Sequence, residues 1–314
     1  MVTAVELGLI YALMALGVYL TFRVLEFPDL TVDGSFTTGA AVSAVMIMNG
    51  VNPVVAIITS LVAGMIAGLV TGLLNTKGHI DGLLAGILTQ IALYSINLRI
   101  MGTSNIGLLR AENIFTPLKE AGLLGTWWGP IAMLPFVLVV LGALIWFLHT
   151  NVGLAMRAAG DSPEMVRSFG VSTDFQKILG LSISNGLVAV SGSLIAQYQG
   201  FADVQMGIGI IVAGLASVIL GQAIIGRMSI WRAATAAAVG SVLYRLVIQI
   251  ALMVGLNPND MKLVSAILVV LALLIPQWKL IARLNKALGF KKRTPEERMA
   301  DRLVAENAAL DAED

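Results

Sequence analysis

The sequence predicts an all-α polytopic membrane protein of about nine transmembrane segments, two of them broken, arranged as an inverted repeat. Three observations predict it. The 314-residue chain is 57% hydrophobic and only 12% charged, with a mean hydropathy of +0.87, which is more apolar surface than a soluble domain of this size can bury. Its apolar residues fall into runs of bilayer-crossing length, roughly 20 residues each. Lysines and arginines gather in alternate connections between those runs.

Taken in order, the runs are 4–24, 33–49, 53–75, 80–101, 130–149, 175–198, 207–226, 231–254 and 261–282. No basic n-region precedes the first, so it reads as a retained span rather than a signal peptide. The second and seventh are Gly-rich and expected to be irregular. Arg23, Lys77, Arg157, Arg167, Lys177, Arg227, Arg232 and the cluster from Lys279 to Arg293 belong on one side, the cytoplasm. The N-terminus has no Lys or Arg before Arg23, which places it outside and the C-terminus inside.

Four spans, one linking span and four more put the two groups of four in opposite orientation, the geometry of an inverted repeat. An echo accompanies it: Phe27-Pro28-Asp29-Leu30 follows the first run and Phe201-Ala202-Asp203-Val204 the sixth, each ahead of a Gly-containing run. The external segment 102–129 is too polar to span. Trp127-Trp128 at its end reads as an interfacial anchor, or as part of a docking rim for a binding protein. Gly64, Gly68 and Gly72 lie on one helix face, a close-packing motif that serves intrachain packing or a dimer, with intrachain packing favoured. The membrane domain is expected over 1–288. In the soluble tail, 289–314, Thr294-Pro295-Glu296-Glu297 forms a capping box ahead of a helix over 295–310.

Composition also excludes. The net charge of +1 gives no field for a nucleic-acid partner. With no Cys and two distant histidines, His79 and His149, no metal site or cofactor is expected. No Gly-x-x-x-x-Gly-Lys-Ser/Thr run and no catalytic constellation is present, so the chain reads as non-enzymatic.

The longest polar interruption before the tail is Gly153–Gly170. Within it Ser162 suits an N-cap and Pro163 the first helical position, with Asp161 and Glu164 at the positive end and Gly170 as the left-handed stop. Met165, Val166 and Phe169 fall on one face with Arg167 on its rim. That face suits docking to another protein, or lying at the lipid interface. A second landmark is Phe27–Ser35. It reads either as a broken helix facing a pathway or as a plain turn with a capping Asp. The pathway reading draws on Asp29, Thr31, Asp33 and Ser35 here, and on Gln90, Asn97, Gln197, Tyr244 and Arg245 in other runs. An Arg within a span needs a reason. Arg245 can snorkel, pair with Asp203 or Glu6, or meet a substrate carboxylate.

Gly153 to Asp174, Gly-Leu-Ala-Met-Arg-Ala-Ala-Gly-Asp-Ser-Pro-Glu-Met-Val-Arg-Ser-Phe-Gly-Val-Ser-Thr-Asp, resembles the cytoplasmic coupling segment of bacterial ABC-importer permeases of the branched-chain amino acid, ribose and nucleoside type. The likeness continues over 178–226 and more weakly over 7–45. The run Pro28–Phe36 resembles the branch of that family paired with lipoprotein receptors of the tryptophan/tyrosine kind. The resemblance implies a permease subunit in the bacterial plasma membrane, with two ATP-binding subunits, an extracytoplasmic substrate-binding protein and a second permease copy or homologue. It also implies an amino-acid substrate, in the aromatic class. The rival reading is an ion-coupled secondary transporter, which needs carboxylates within the membrane. Asp29, Asp33 and Asp203 are expected near span ends.

Overall fold

A chain this apolar satisfies its backbone in lipid through helices or a closed barrel, and here the solution is helical. The computed structural model describes residues 1–109, 111–226, 229–255 and 261–274. Its helices are α1 (Val2–Tyr19, continuing as a π-helix over Leu20–Val24), α2 (Thr31–Met48), α3 (Pro53–Thr76), α4 (Gly82–Met101), α5 (Thr116–Glu120), α6 (Trp128–His149), α7 (Asn151–Asp161), α8 (Pro163–Ser168), α9 (Thr173–Gln199), α10 (Ile210–Ile225), α11 (Ile230–Met253) and α12 (Met261–Leu274). One unit covers Met1–Ala272; of a second, Leu273–Asp314, only the first two residues are described. The tail helix expected over 295–310 lies outside the described residues.

Six helices among the described residues are long and apolar enough to cross a membrane: Val2–Val24, Pro53–Thr76, Gly82–Met101, Trp128–His149, Thr173–Gln199 and Ile230–Met253. They correspond to six of the nine expected runs, and the other three are not among them. α10 is too short, α2 carries Asp33 and several hydroxyls, and the ninth run is described only over α12.

α1 and α9 form the centre, with 83% and 78% of their span windows buried against 28–39% for the other four. Small residues let their neighbours approach closely. A Cβ at Gly64, Gly68 or Gly72 of α3 would strike Asn185, Leu181 or Ile178 of α9, so the glycine stripe packs within the chain. α11 lies on α1 in the same way, with Gly8 against Val242 and the Ser241 hydroxyl donating to the Gly8 carbonyl at 2.8 Å.

At the α5 end the chain departs from the all-α expectation. β1 (Asn105–Gly107) pairs antiparallel with β2 (Phe201–Asp203), with Ile106 opposite Ala202. This short ladder satisfies backbone groups where two helices have already stopped at the left-handed Gly102 and Gly200. Beneath it Glu6 is fully buried. It accepts from the Gly125 N–H at 3.0 Å and the Tyr198 hydroxyl at 2.6 Å, tying the 102–127 segment to α1 and α9.

Candidate functional site

Two helices begin inside the bundle. After the π-turn the backbone at Glu26 swings to φ +50°, and the chain turns inward before Pro28 rather than at it. Residues 33–35 then sit level with the middle of α4, beside Gln90 and Leu93. The Ser35 hydroxyl donates to Asn185 Oδ1 (2.6 Å) and Asn185 Nδ2 donates to Asp29 Oδ2 (2.7 Å), and Asn185 lies near the middle of α9. α10 starts at the same level. Its first N–H groups, those of Gly209 and Ile211, each donate to the Asp33 carboxylate at 2.8 Å. Gly209 holds φ +85°, a left-handed conformation that favours glycine. Asp33 therefore caps α10 across the bundle, not its own helix. Asp33, expected near a span end, lies beside Gln90 halfway along α4, whereas Asp29 stays nearer the α7–α8 end, with Leu30 against Gly86 and Thr31 bonded to Thr71.

Beside this junction is a cavity of about 360 Å³, bounded by Asp33, Gly34 and Thr37 of α2, Gln90, Tyr94 and Asn97 of α4, and the strand-to-helix turn before α10. Asn97 is fully buried. Its Nδ2 reaches the Gly34 carbonyl at 3.4 Å, and its Oδ1 has no hydrogen-bond partner. Of the nine residues expected to line a pathway, the structure brings together Asp33, Gln90 and Asn97. Tyr94 was missed, although it lies four residues after Gln90 and three before Asn97, on the same helix face.

The others sit elsewhere. Asp29 is buried and accepts from the Thr31 N–H at 2.9 Å and from Asn185 Nδ2 at 2.7 Å. Thr31 shares a 2.7 Å hydrogen bond with Thr71, pinning α2 to α3. Gln197 donates to Ser43 at 3.0 Å and accepts from the Ile114 N–H at 3.1 Å, beneath a second cavity of about 590 Å³ at the α5 end. The Tyr244 hydroxyl donates to Ser265 on α12 at 2.6 Å.

Arg245 makes no ion pair among the described residues; Glu6 and Asp203 already have donors of their own. Its guanidinium carbon stands 3.6 Å from the centroid of the Tyr11 ring, which stacks on Phe36 with centroids 5.9 Å apart. The attraction is that of a cation for a ring face. Its Nε is buried without a partner.

The polar stretch 153–170 is a pair of helices, not one. α7 precedes α8, and Asp161 ends α7 instead of opening α8, leaving Glu164 alone in the first turn. Ser162 occupies the cap position, but its side chain makes no capping bond. α8 stops as expected at Gly170, φ +78°, where the Gly170 and Val171 N–H groups donate to the Arg167 and Val166 carbonyls. The expected three-residue face divides. Met165 and Phe169 are 50% and 78% exposed, but Val166 turns inward at 4%. Arg167 is drawn back to α9, its Nε donating to Thr173 at 2.8 Å and its guanidinium 3.8 Å from Asp174.

Helices too apolar for water, small-residue packing and a helix start held inside the bundle beside a cavity edged by Asp33, Gln90 and Asn97 define a polytopic membrane transport protein. Residues 1–274 match the model of the branched-chain amino acid transport system permease component family, and the chain belongs to that family. It is 42% identical over 264 residues to the tyrosine transport system permease protein of Clostridioides difficile (strain R20291), covering 84% of this chain and 86% of that one. It is 35% identical to protein RP368 of Rickettsia prowazekii (strain Madrid E), over 87% of this chain and 96% of that one. Among solved structures it is similar to PsaBC from Streptococcus pneumoniae in complex with Fab, at 13% identity and a TM-score of 0.49, over 86% and 88% of the two chains. The chain is thus a multi-pass membrane permease and, like its family, a transport component and not an enzyme.

Proposed function

We propose that this chain is the membrane-spanning subunit of an ATP-driven importer of a small solute, an amino acid, and that the α2–α4–α10 cavity is its share of the translocation pathway. The observation that carries the reading is the junction at mid-depth, where Asp33 holds the start of α10 beside Asn97 and Gln90. Irregular backbone at that depth survives only when buried in protein or lining water. Gln90 and Tyr94 on the open side of the cavity call for cover other than lipid, which a second permease copy or a homologue supplies. The family membership and the tyrosine permease relative support an amino acid as cargo, in the aromatic class.

The inverted repeat belongs to the same reading. α1 and α9 run in opposite directions; α11 packs on α1 as α3 packs on α9. Asp29 and Asp203, at the two echoed positions, each accept from the N–H two residues on, at 2.9 and 2.7 Å, and from an Asn side chain, at 2.7 and 3.3 Å. Exposed Met165 and Phe169 on α8 are the docking anchors for an ATP-binding subunit. Val166, Arg167 and Gly170 hold α8 in place, and Asp161 and Ser162 form its hinge with α7. The α7–α8 end is cytoplasmic, and an extracytoplasmic binding protein delivers substrate at the α5 end.

The test is reconstitution. The tagged chain should co-purify with an ATP-hydrolysing subunit, and uptake of L-tyrosine into proteoliposomes should require ATP on the α8 side and a binding protein on the other. Uptake that follows an imposed ion gradient without the ATPase would overturn the reading in favour of a secondary transporter.

A further inference from the structure

A separate cavity of about 270 Å³ opens at the α7–α8 end, between the π-turn of α1, α7, the end of α10 and the start of α11. It lies just below the range for drug-sized ligands, roughly 300–1,000 Å³, and so suits a small metabolite. Its lining is mostly polar. Arg23 comes from the π-turn, Arg157 and Asp161 from successive turns of α7, Tyr19 from α1, Gln222 from α10, and Ser229 from the cap of α11. Among the described residues none of the three charged side chains is in an ion pair, even though Arg157 and Asp161 stand four apart on one helix. Gln222 is 8% exposed, and its Oε1 is buried without a hydrogen-bond partner, an arrangement that costs free energy unless something fills it.

We propose that this cavity binds a free α-amino acid. Two guanidinium groups and the N-terminus of α11 suit a carboxylate. Asp161 repels a lone anion, and the arginines repel a lone cation. A zwitterion satisfies both, its ammonium taking Asp161 and the orphaned Gln222 acceptor. The cavity's volume suits a free metabolite, and the ammonium-bearing headgroup of phosphatidylethanolamine, which shares the charge pattern, is the rival that the experiment separates. Such a ligand ties α7 to α10 and α11 and restrains the helix that leads directly into α8. On the transport reading above, which sets this end in the cytoplasm, it is a brake applied by accumulated amino acid; the binding itself does not rest on that reading.

The experiment is equilibrium binding of radiolabelled L-alanine and L-tyrosine to the full chain alone in nanodiscs, without ATPase subunits or a binding protein. Saturable binding should weaken about tenfold in Arg157→Gln and in Arg23→Gln, and less in Arg157→Lys. N-acetyl-alanine, which lacks the ammonium, should bind weakly to the wild type, and Asp161→Asn should abolish that discrimination. Size-exclusion profiles matching the wild type show that the variants are folded. Four results overturn the proposal: no saturable binding, inorganic phosphate competing as well as the amino acids, tightly retained phosphatidylethanolamine lost only in the Arg157 variant, or binding lost in Asn97→Leu and kept in Arg157→Gln. The last would place the ligand in the pathway cavity instead.

Discussion

At the scale of a single residue, Asp33 and Asn97 separate structure from transport. Asp33 closes two N–H groups at the start of α10. Asp33→Ala leaves both unsatisfied in the interior, a loss of about 2 kcal/mol or more. A lowered melting temperature in detergent is the expected outcome, with Asp33→Asn falling between, since the amide keeps one acceptor. Asn97 is the opposite case. Its one hydrogen bond is long, at 3.4 Å, and its Oδ1 has no partner, so the similar-sized Asn97→Leu should leave the melting temperature unchanged or raise it. If the cavity is the pathway, that variant still loses uptake. A stable variant with full uptake would remove Asn97 from the pathway. Sequence reading could select Gln90 and Asn97 because an amide within an apolar run is conspicuous. It could not assign Asp33 its partner, because Gly209 and Ile211 are far away in the chain and offer only backbone. Nor could it tell that Arg245 would meet the face of Tyr11, since a nearby carboxylate is the default partner for an arginine and an aromatic ring leaves no comparable mark.

At the scale of the element, close helix contacts should decide stability and the short α8 helix should decide coupling. A side chain at Gly68 would enter the Leu181 carbonyl of α9, whereas a Cβ at Gly142 on α6 meets nothing within 4 Å. Gly68→Leu should therefore prevent recovery of folded protein, and Gly142→Ala should be neutral, both read by yield and melting temperature. On α8, Phe169→Ala should leave stability alone and sever ATP hydrolysis from substrate delivery, because an exposed aromatic anchor contributes roughly 2 kcal/mol or more to a docked interface. Val166→Ala should do the reverse, loosening the fold before it touches coupling. Identical melting curves for the two variants would undo this division. The long apolar helices were legible from composition, with boundaries within a few residues, because lipid demands both length and hydropathy. The glycine stripe and the stop at Gly170 were legible for the same reason, as local chemistry fixes them. The division of α8 into inward Val166 and outward Phe169 was not. Three-to-four spacing defines a stripe, but the docking of α7, unseen as a helix of its own, sets which edge of that stripe faces the bundle.

At the scale of the whole molecule, charge should set orientation. Arg23, Lys77, Arg157, Arg167, Lys177 and Arg232 all sit at the end that carries α7 and α8, where Lys77 and Arg167 converge on Asp174 at 3.9 and 3.8 Å. The opposite end offers Arg99, Lys119 and Lys262 among the described residues, with Glu112 and Glu120 as partial balance. Basic residues in short connections are retained on the cytoplasmic side, so the α7–α8 end should be inside and Val2 outside. The chain has no cysteine, which makes single-cysteine labelling direct. Met165→Cys, half-exposed on α8, should react with a membrane-impermeant maleimide only after the membrane is opened. Thr126→Cys, at the α5 end ahead of α6, should react in intact cells. A second pair tests the antiparallel halves without reference to the membrane. Asn105 and Asp203 lie opposite each other in the β-ladder and are joined at 3.3 Å, so cysteines placed at both positions should crosslink within one chain under mild oxidation. That ladder forms only if α4 and α9 finish at the same end, which requires α9 to begin at the α7–α8 end and run opposite to α1. Labelling of position 165 in intact cells with the 105–203 crosslink intact would keep the fold and reverse the protein in the membrane. Failure of the crosslink in folded protein would instead undo the arrangement of the two halves.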